Sequence, residues 1–132
     1  MSPKLRQTIR RRARFRCEYC RMPENKSDLR FQVDHVVAEK HGGPTAEGNL
    51  AWTCYRCNSC KGPNIAGLDN PSGGVFRLFH PRKDRWAEHF RWSGARLIGR
   101  TAVGRATVEV LRINHPESLL TRQALMDEGI EF

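Results

Sequence analysis

Three features of this 132-residue sequence predict a small α+β fold. The N-terminal residues combine helical apolar spacing with many arginines, and the strand-like segment LRFQVDHVV lies between two Cys-x-x-Cys pairs. The remainder alternates short aromatic, strand-like runs with two helix-forming segments. Because a chain of this length buries only a modest core, we expect a single domain over residues 1–132.

The N-terminal segment predicts a helix from residue 3 to about residue 16. Ser2 suits the N-cap and Pro3 the first helical position. A narrow apolar stripe follows at Leu5, Ile9 and Ala13. Arginines cover most of the remaining surface of this helix: Arg6, Arg10, Arg11, Arg12, Arg14 and Arg16.

Two Cys-x-x-Cys pairs, Cys17 with Cys20 and Cys54 with Cys57, predict a tetrahedral Zn²⁺ site with four thiolate ligands. The alternatives are incidental buried cysteines and a redox dithiol, but a redox dithiol is usually a single pair on a thioredoxin-like βαβ pattern, which the sequence lacks. Four thiolates leave no position for substrate or water, so we expect this zinc to be structural. Cys60 is expected to be a spare thiol, although Cys57 and Cys60 share the same spacing and a shifted register stays open.

Between and after the cysteine pairs, the sequence predicts a short hairpin and a helix. LRFQVDHVV is typical of a strand that pairs with residues after the Gly42-Gly43-Pro44 turn, and the helix with the second cysteine pair ends near Gly62-Pro63. Short strands are predicted within GVFRLFHPRKDRWAEHFRWSGARLIGRT, and TAVGRATVEVLRIN has helical spacing. A last helix begins at Pro116 and stops at Gly129.

Positive charge is concentrated near the N-terminus. The chain has 23 Lys and Arg against 14 Asp and Glu, a net charge of +9, and residues 1–30 account for +7 of it, with 10 basic and 3 acidic side chains. Clustered arginine favours nucleic acid as the partner, because each neutralised phosphate releases a counterion; a solvated basic face or weak attraction to anionic lipid is the alternative. No apolar run approaches the roughly 20 residues that span a bilayer, and no secretory signal is visible, so we expect a cytoplasmic protein without a membrane partner.

Taken in order, CEYC, VDHVVAEKHGG, EGNL and CYRCNSCKG resemble the zinc-stapled branch of the HNH endonucleases, the His-Me finger or ββα-metal nucleases. That branch has the pattern Cys-x-x-Cys, Asp-His-[Ile/Val], Gly-Gly, Asn-Leu and Cys-x-x-Cys-Asn-x-x-Lys, and residues 17–62 contain every element. The resemblance implies a small ββα-metal core there, with residues from about 63 to 132 as a C-terminal extension. It also implies a divalent-metal-dependent endonuclease that hydrolyses DNA phosphodiester bonds.

The resemblance also implies a role for each motif residue. His35 is the general base that takes a proton from the attacking water. Asp34 and Asn58 hold a catalytic Mg²⁺ or Mn²⁺ through oxygen atoms. Asn49 is structural, its amide bonding backbone beside His35; an ordinary helix N-cap or turn asparagine is the alternative.

Strand geometry places a condition on these roles. Neighbouring residues of a regular strand point to opposite faces. Asp34 and His35 therefore share a site only if the strand is strongly twisted or ends there, with the helix bearing Asn58 across its face. An imidazole facing away from the cleft between Asp34 and Asn58 would contradict the assignment of His35 as the base.

We expect double-stranded DNA to contact Arg6, Arg10 and Arg14 of the first helix, together with Arg56 and Lys61. Phosphate contacts position a protein without reading sequence, so weak sequence preference is expected. For Lys61 the alternative is a solvated lysine near a helix end. The rival function is a non-catalytic zinc-ribbon-like nucleic-acid-binding module, and a monomer and a transient dimer both stay open.

Overall fold

The structure, a computed structural model, describes residues 1–132 and begins with helix α1, Pro3–Arg12. As predicted, Ser2 caps this helix, because its hydroxyl accepts a hydrogen bond from the backbone N–H three residues on at 3.1 Å. The predicted end near residue 16 is wrong, because the helix stops before Arg14 and Phe15, which adopt φ values of 56° and 60°. This left-handed turn, uncommon for residues other than glycine, directs the chain into the first cysteine pair.

The predicted hairpin and the helix after it are both present. Strand β1 (Gln32–His35) pairs antiparallel with β2 (Leu50–Thr53). Helix α2 (Tyr55–Lys61) follows at once, and Cys54 is both the residue after β2 and the N-cap of α2. Three short 3-10 turns lie in the connections: Glu24–Lys26, Glu39–His41 and Glu47–Asn49.

The C-terminal part contains the predicted short strands and two helices, with one additional helical turn. Its elements are, in order, β3 (Ala66–Asp69), β4 (Gly74–Arg77), α3 (Trp86–His89), β5 (Phe90–Ser93), β6 (Arg96–Gly99), α4 (Ala102–Val110) and α5 (Pro116–Asp127). β3 pairs with β4 and β5 with β6, so every sheet is a two-stranded antiparallel hairpin. The α+β prediction is thereby confirmed. No helix of the chain has the length and apolar character needed to cross a membrane.

One hydrophobic core joins residues 17–62, which we call the motif segment, to the C-terminal part. Its cluster of 19 buried residues includes Trp52 and Tyr19 from the first and Phe79 and Phe90 from the second. The rings of Tyr19 and Phe79 pack edge to face, with centroids 6.3 Å apart. The indole N–H of Trp86 donates to the carbonyl of Tyr19 at 2.9 Å. The C-terminal part therefore packs directly against the motif segment.

A buried carboxylate fixes α4 to the β3–β4 hairpin. Asp69, at the end of β3, has no exposed surface, and Arg105 of α4 donates to its two oxygens at 2.8 and 3.1 Å. Ser72 donates a further hydrogen bond at 2.6 Å. These hydrogen bonds, the one from Arg105 first, lower the pKa of Asp69 to about 2.

We predict that Asp69→Asn lowers the free energy of unfolding at neutral pH, because the Arg105 guanidinium loses its charged partner. A carboxylate with a lower pKa in the folded state than in the unfolded chain, where it is about 3.9, stabilises the fold above that value and loses this contribution as the pH falls towards its folded pKa. The difference in stability between wild type and variant should be full at pH 7 and shrink below about pH 4. Denaturant titrations of the two zinc-loaded proteins measure it, and a difference that does not change with pH would contradict the prediction.

Candidate active site and metal centre

Cysteines from both pairs converge at one buried point. The sulfurs of Cys17, Cys20, Cys54 and Cys57 all lie within 4.8 Å of one another, and those of Cys20 and Cys54 are 3.7 Å apart. A tetrahedron with Zn–S bonds of about 2.3 Å has sulfur–sulfur edges of about 3.8 Å, so the cluster has the size of a four-thiolate zinc site. Cys60 is half-buried and lies outside the cluster, so the shifted register is not the one adopted.

The protonation of these thiols also fits a bound dication. Hydrogen bonds from neighbouring thiols, first from Cys17, hold the pKa of Cys20 well below its usual value. Hydrogen bonds within the cluster, again first with Cys17, raise the pKa of Cys54 and Cys57, because a second negative charge would lie beside the first. Four thiolates therefore need a cation among them, and Zn²⁺ prefers this ligand set.

Asp34 lies in the interface between β1 and α2. Its side chain is 4% exposed, and its carboxylate accepts a hydrogen bond from the Tyr19 hydroxyl at 2.9 Å and pairs with the Lys61 ammonium at 3.2 Å. Burial raises the pKa of Asp34, and the Lys61 charge and the Tyr19 hydroxyl oppose this shift. An ionised carboxylate has about four lone-pair sites, so Asp34 keeps an acceptor for a cation beside these partners.

His35 is the last residue of β1, so the condition that the strand ends there is met. Its Nε2 atom lies 2.9 Å from Thr45 Oγ1 and 3.2 Å from Glu39 Oε1, and Thr45 donates to Glu39 at 3.2 Å. The imidazole and the Asp34 carboxylate have no polar partner in common.

The amide of Asn49 ties down the loop that follows His35. Its Oδ1 atom accepts from the N–H of Val37, and its Nδ2 atom donates to the carbonyls of Val37 and Pro44, each at 2.9 Å. Gly43 packs beneath this amide, since a side chain there would collide with the Val37 carbonyl. Asn49 is not the helix N-cap, because a cysteine holds that position. Its contacts are those of a structural clamp beside the imidazole.

Asn58 lies on the face of α2 that meets β1. Its Nδ2 atom donates to Oε1 of Gln32. Gln32 precedes Asp34 by two residues and so lies on the same face of β1. The hydrogen bond turns the Oδ1 atom of Asn58 away from Gln32. Carboxylate and amide oxygens are hard ligands, so Asp34 and Asn58 fit Mg²⁺ or Mn²⁺ by their donor chemistry.

Several side chains that are predicted to contact DNA already have partners within the protein. Arg10 pairs with Glu24 at 2.9 Å, and Arg56 pairs with Glu117. Arg6 lies over a buried indole, 4.8 Å from its centroid, and donates to a backbone carbonyl. All three guanidinium groups therefore already have partners within the protein, and their contact with DNA stays a prediction.

Lys61 is buried, so the alternative of a solvated lysine is wrong, while its contact with DNA phosphate stays a prediction. Its side chain is 1% exposed, and its ammonium contacts Asp34 and the carbonyl of His35, the latter at 3.1 Å. The interface between β1 and α2 encloses it because the Asp34 carboxylate neutralises it there. Arg14 is exposed and has no polar partner, unlike the rest of the predicted set.

The site also contains residues that sequence reasoning missed: Tyr19, Gln32, Glu39 and Thr45. Strand alternation could have indicated Gln32, because it lies two residues before Asp34. The sequence carries no comparable signal for Tyr19 or Thr45. Their contacts depend on how two pieces of chain fold: the turn that carries the first cysteine pair, which we call the cysteine knuckle, and the loop after β1.

An antiparallel hairpin followed by a helix, with an Asp-His pair on the strand and an asparagine on the helix, defines a ββα unit stapled by a four-cysteine metal centre. Residues 17–64 match the family model of the HNH endonuclease. The predicted resemblance to this family is thus confirmed for residues 17–64. No curated protein and no solved structure matches the chain significantly.

We predict that Cys54→Ser loses the zinc ion and the cooperative unfolding transition, because the free energy of binding a structural zinc is folding free energy. Cys60→Ser is the matched control: it removes a thiol from α2 outside the cluster, and should keep one zinc per chain and melt like wild type. Elemental analysis and thermal melts followed by circular dichroism measure both. If Cys54→Ser keeps the zinc content and the melting temperature of wild type, the assignment of Cys54 as a ligand of a structural zinc ion is refuted.

Proposed function

We propose that this protein is a divalent-metal-dependent endonuclease that hydrolyses phosphodiester bonds in DNA. The observation that carries the proposal is the junction of β1 and α2, where Asn58 and Lys61 of α2 bond to Gln32 and Asp34 of β1, and His35 is the last residue of that strand. The match of residues 17–64 to the HNH endonuclease family supports it, because members of that family are generally nucleases.

In this proposal His35 takes the proton of the attacking water. Its Nε2 atom faces Thr45 and Glu39, so with the ring hydrogen on Nε2 the Nδ1 atom holds the lone pair that accepts a proton. The water oxygen bonds to phosphorus, the bond to the 3′ oxygen breaks, and the leaving oxygen takes a proton from solvent. Glu39, 3.2 Å from Nε2, then stabilises the imidazolium, and the Thr45 hydroxyl bonds to both groups.

Asp34 and Asn58 hold the divalent ion in this proposal, through a carboxylate oxygen and the amide Oδ1 atom. Bound Mg²⁺ or Mn²⁺ supplies charge stabilisation of the scissile phosphate and the leaving oxygen. A small number of protein ligands leaves positions for water and phosphate, as Mg²⁺ prefers. Lys61 keeps Asp34 ionised and fixes its orientation, since its ammonium contacts both carboxylate oxygens.

A second candidate is a non-catalytic zinc-ribbon-like nucleic-acid-binding module. One observation favours it: Asp34 is buried and already neutralised by Lys61, so this carboxylate is stabilised without a metal ion. His35 would then only anchor the loop through Thr45. Against this candidate, the motif retains His35 together with Asn58, and a binding module needs neither.

We propose double-stranded DNA as the substrate, cut with weak sequence preference. No helix-turn-helix or finger array is present to read bases, and arginine contacts to phosphate carry no sequence information. The proposal places the activity in the cytoplasm and holds for a monomer or a transient dimer.

We predict that the wild-type protein nicks supercoiled plasmid when Mg²⁺ or Mn²⁺ is added, and that His35→Ala slows nicking by about 100-fold or more, because general-base catalysis is worth about 10²–10⁴. His41→Ala is the matched control, since this exposed histidine belongs to the same loop but makes no hydrogen bond or ion pair through its side chain. It should nick like wild type. Gel quantification of open-circle DNA over time gives the rates.

Equal nicking rates of wild type and His35→Ala would show that His35 is not the general base. If neither protein nicks but both shift the duplex in a gel, the binding module becomes the better description.

We further predict that Gln32→Ala weakens Mn²⁺ binding about tenfold, because residues that orient a metal ligand commonly contribute 10–100-fold to affinity. Gln32→Glu, which can only accept the hydrogen bond from Asn58, should bind at least as tightly as wild type. Isothermal titration of Mn²⁺ into zinc-loaded proteins measures both. Wild-type affinity in Gln32→Ala would show that Gln32 does not orient Asn58.

A further inference from the structure

A concave surface lies at the end of α1, where the chain turns into the cysteine knuckle. The cavity has a volume of about 590 Å³. We call it the arginine pocket, after the four arginines that line it: Arg12, Arg14, Arg16 and Arg21.

The arginines of this pocket are held in place without being neutralised. Arg12 donates to the carbonyls of Glu47 and Leu50 at 2.9 and 2.6 Å. Arg16 donates to the carbonyls of Arg21 and Glu131 at 3.1 and 2.8 Å. Backbone carbonyls fix a guanidinium but do not cancel its charge, so the groups stay available to an anion.

The other two arginines are also without carboxylate partners. Arg21 lies over the ring of Trp86, 4.9 Å from its centroid. Arg14 is exposed and makes no polar contact within the protein. Glu18, Glu131 and the C-terminal residue Phe132 also line the pocket. The Glu18 carboxylate is occupied by Arg82 and by the backbone N–H of Trp52, and neither Glu131 nor the C-terminus forms an ion pair with one of the four arginines.

The pocket adjoins the proposed catalytic hairpin. Arg12 reaches the carbonyl of Leu50 in β2, and Leu50 lies directly opposite His35 in the strand ladder. The guanidinium is therefore one strand away from the proposed base. The pocket lies on the α1 side of the hairpin, whereas α2 packs against β1.

We propose that the arginine pocket binds the sugar-phosphate backbone of the DNA strand next to the scissile phosphate. The position relative to the cut rests on the proposed nuclease function. A guanidinium offers five N–H donors, so Arg12 and Arg16 each keep donors for bidentate contact with phosphate oxygens. None of these contacts requires a base edge, so the pocket binds without sequence preference.

The test is binding of a fluorescent DNA duplex by anisotropy, in the His35→Ala background and without added divalent ion, across a range of salt concentrations. The pocket variant is Arg14→Gln with Arg16→Gln. Its matched control is Arg91→Gln with Arg96→Gln, two exposed arginines of the β5–β6 hairpin without ion pairs. The pocket variant should raise the dissociation constant about tenfold and reduce the log–log salt slope by about 1.8, as for two lost phosphate contacts.

Arg14→Gln alone is the variant least able to disturb the fold, because the Arg14 guanidinium makes no hydrogen bond or ion pair within the protein. This single variant should reduce the log–log salt slope by about 0.9. Equal weakening in the pocket and control variants would assign the effect to net charge and overturn the proposal. Tighter binding to anionic vesicles or to an acidic peptide than to the duplex would also overturn it. Because the assay measures no cleavage, a protein that binds through the pocket but never nicks keeps this inference and loses only the nuclease function.

Discussion

Four cysteine sulfurs within 4.8 Å of one another join a knuckle near the N-terminus to the junction of β2 and α2. Cys54 follows β2 and caps α2, since its sulfur accepts from the N–H of Cys57 at 3.4 Å. The cluster thereby sets the angle at which α2 leaves the hairpin, and with it the positions of Asn58 and Lys61 against β1. Closing this long loop through a metal ion restricts the unfolded chain, which compensates for a small core.

The two residues inside the first cysteine pair extend this constraint to the candidate site. Tyr19 donates to Asp34, and Glu18 accepts from the N–H of Trp52 in β2 at 2.8 Å. Burial raises the pKa of Glu18, while the Trp52 hydrogen bond and the Arg82 charge oppose the shift. A knuckle that loses its metal would release both side chains. The cysteine cluster and the cleft between β1 and α2 are therefore linked through the hydrogen bonds of these two side chains.

The sequence predicts the elements whose signals are local or have fixed spacing: the cap of α1, the hairpin, α2 and the four-cysteine cluster. It fails at Arg14 and Phe15, where a left-handed turn occurs without a glycine to mark it. It fails again at Lys61, because the burial of a lysine depends on a carboxylate 27 residues away in the chain. Contacts of this kind follow from tertiary packing, which neither propensity nor periodicity encodes.

Charge explains why the C-terminal part, outside the family match, packs on the knuckle. Four thiolates around Zn²⁺ carry a net charge of −2, and a buried cluster of that charge needs compensation. Arg122 of α5 is 2% exposed and donates to the carbonyls of Ala95 and Ile113, both at 2.8 Å. Burial lowers the pKa of Arg122, and the thiols, Cys20 first, oppose that shift. Arg122 lies beside the cysteine cluster, so α5 contributes positive charge as well as apolar surface to the knuckle.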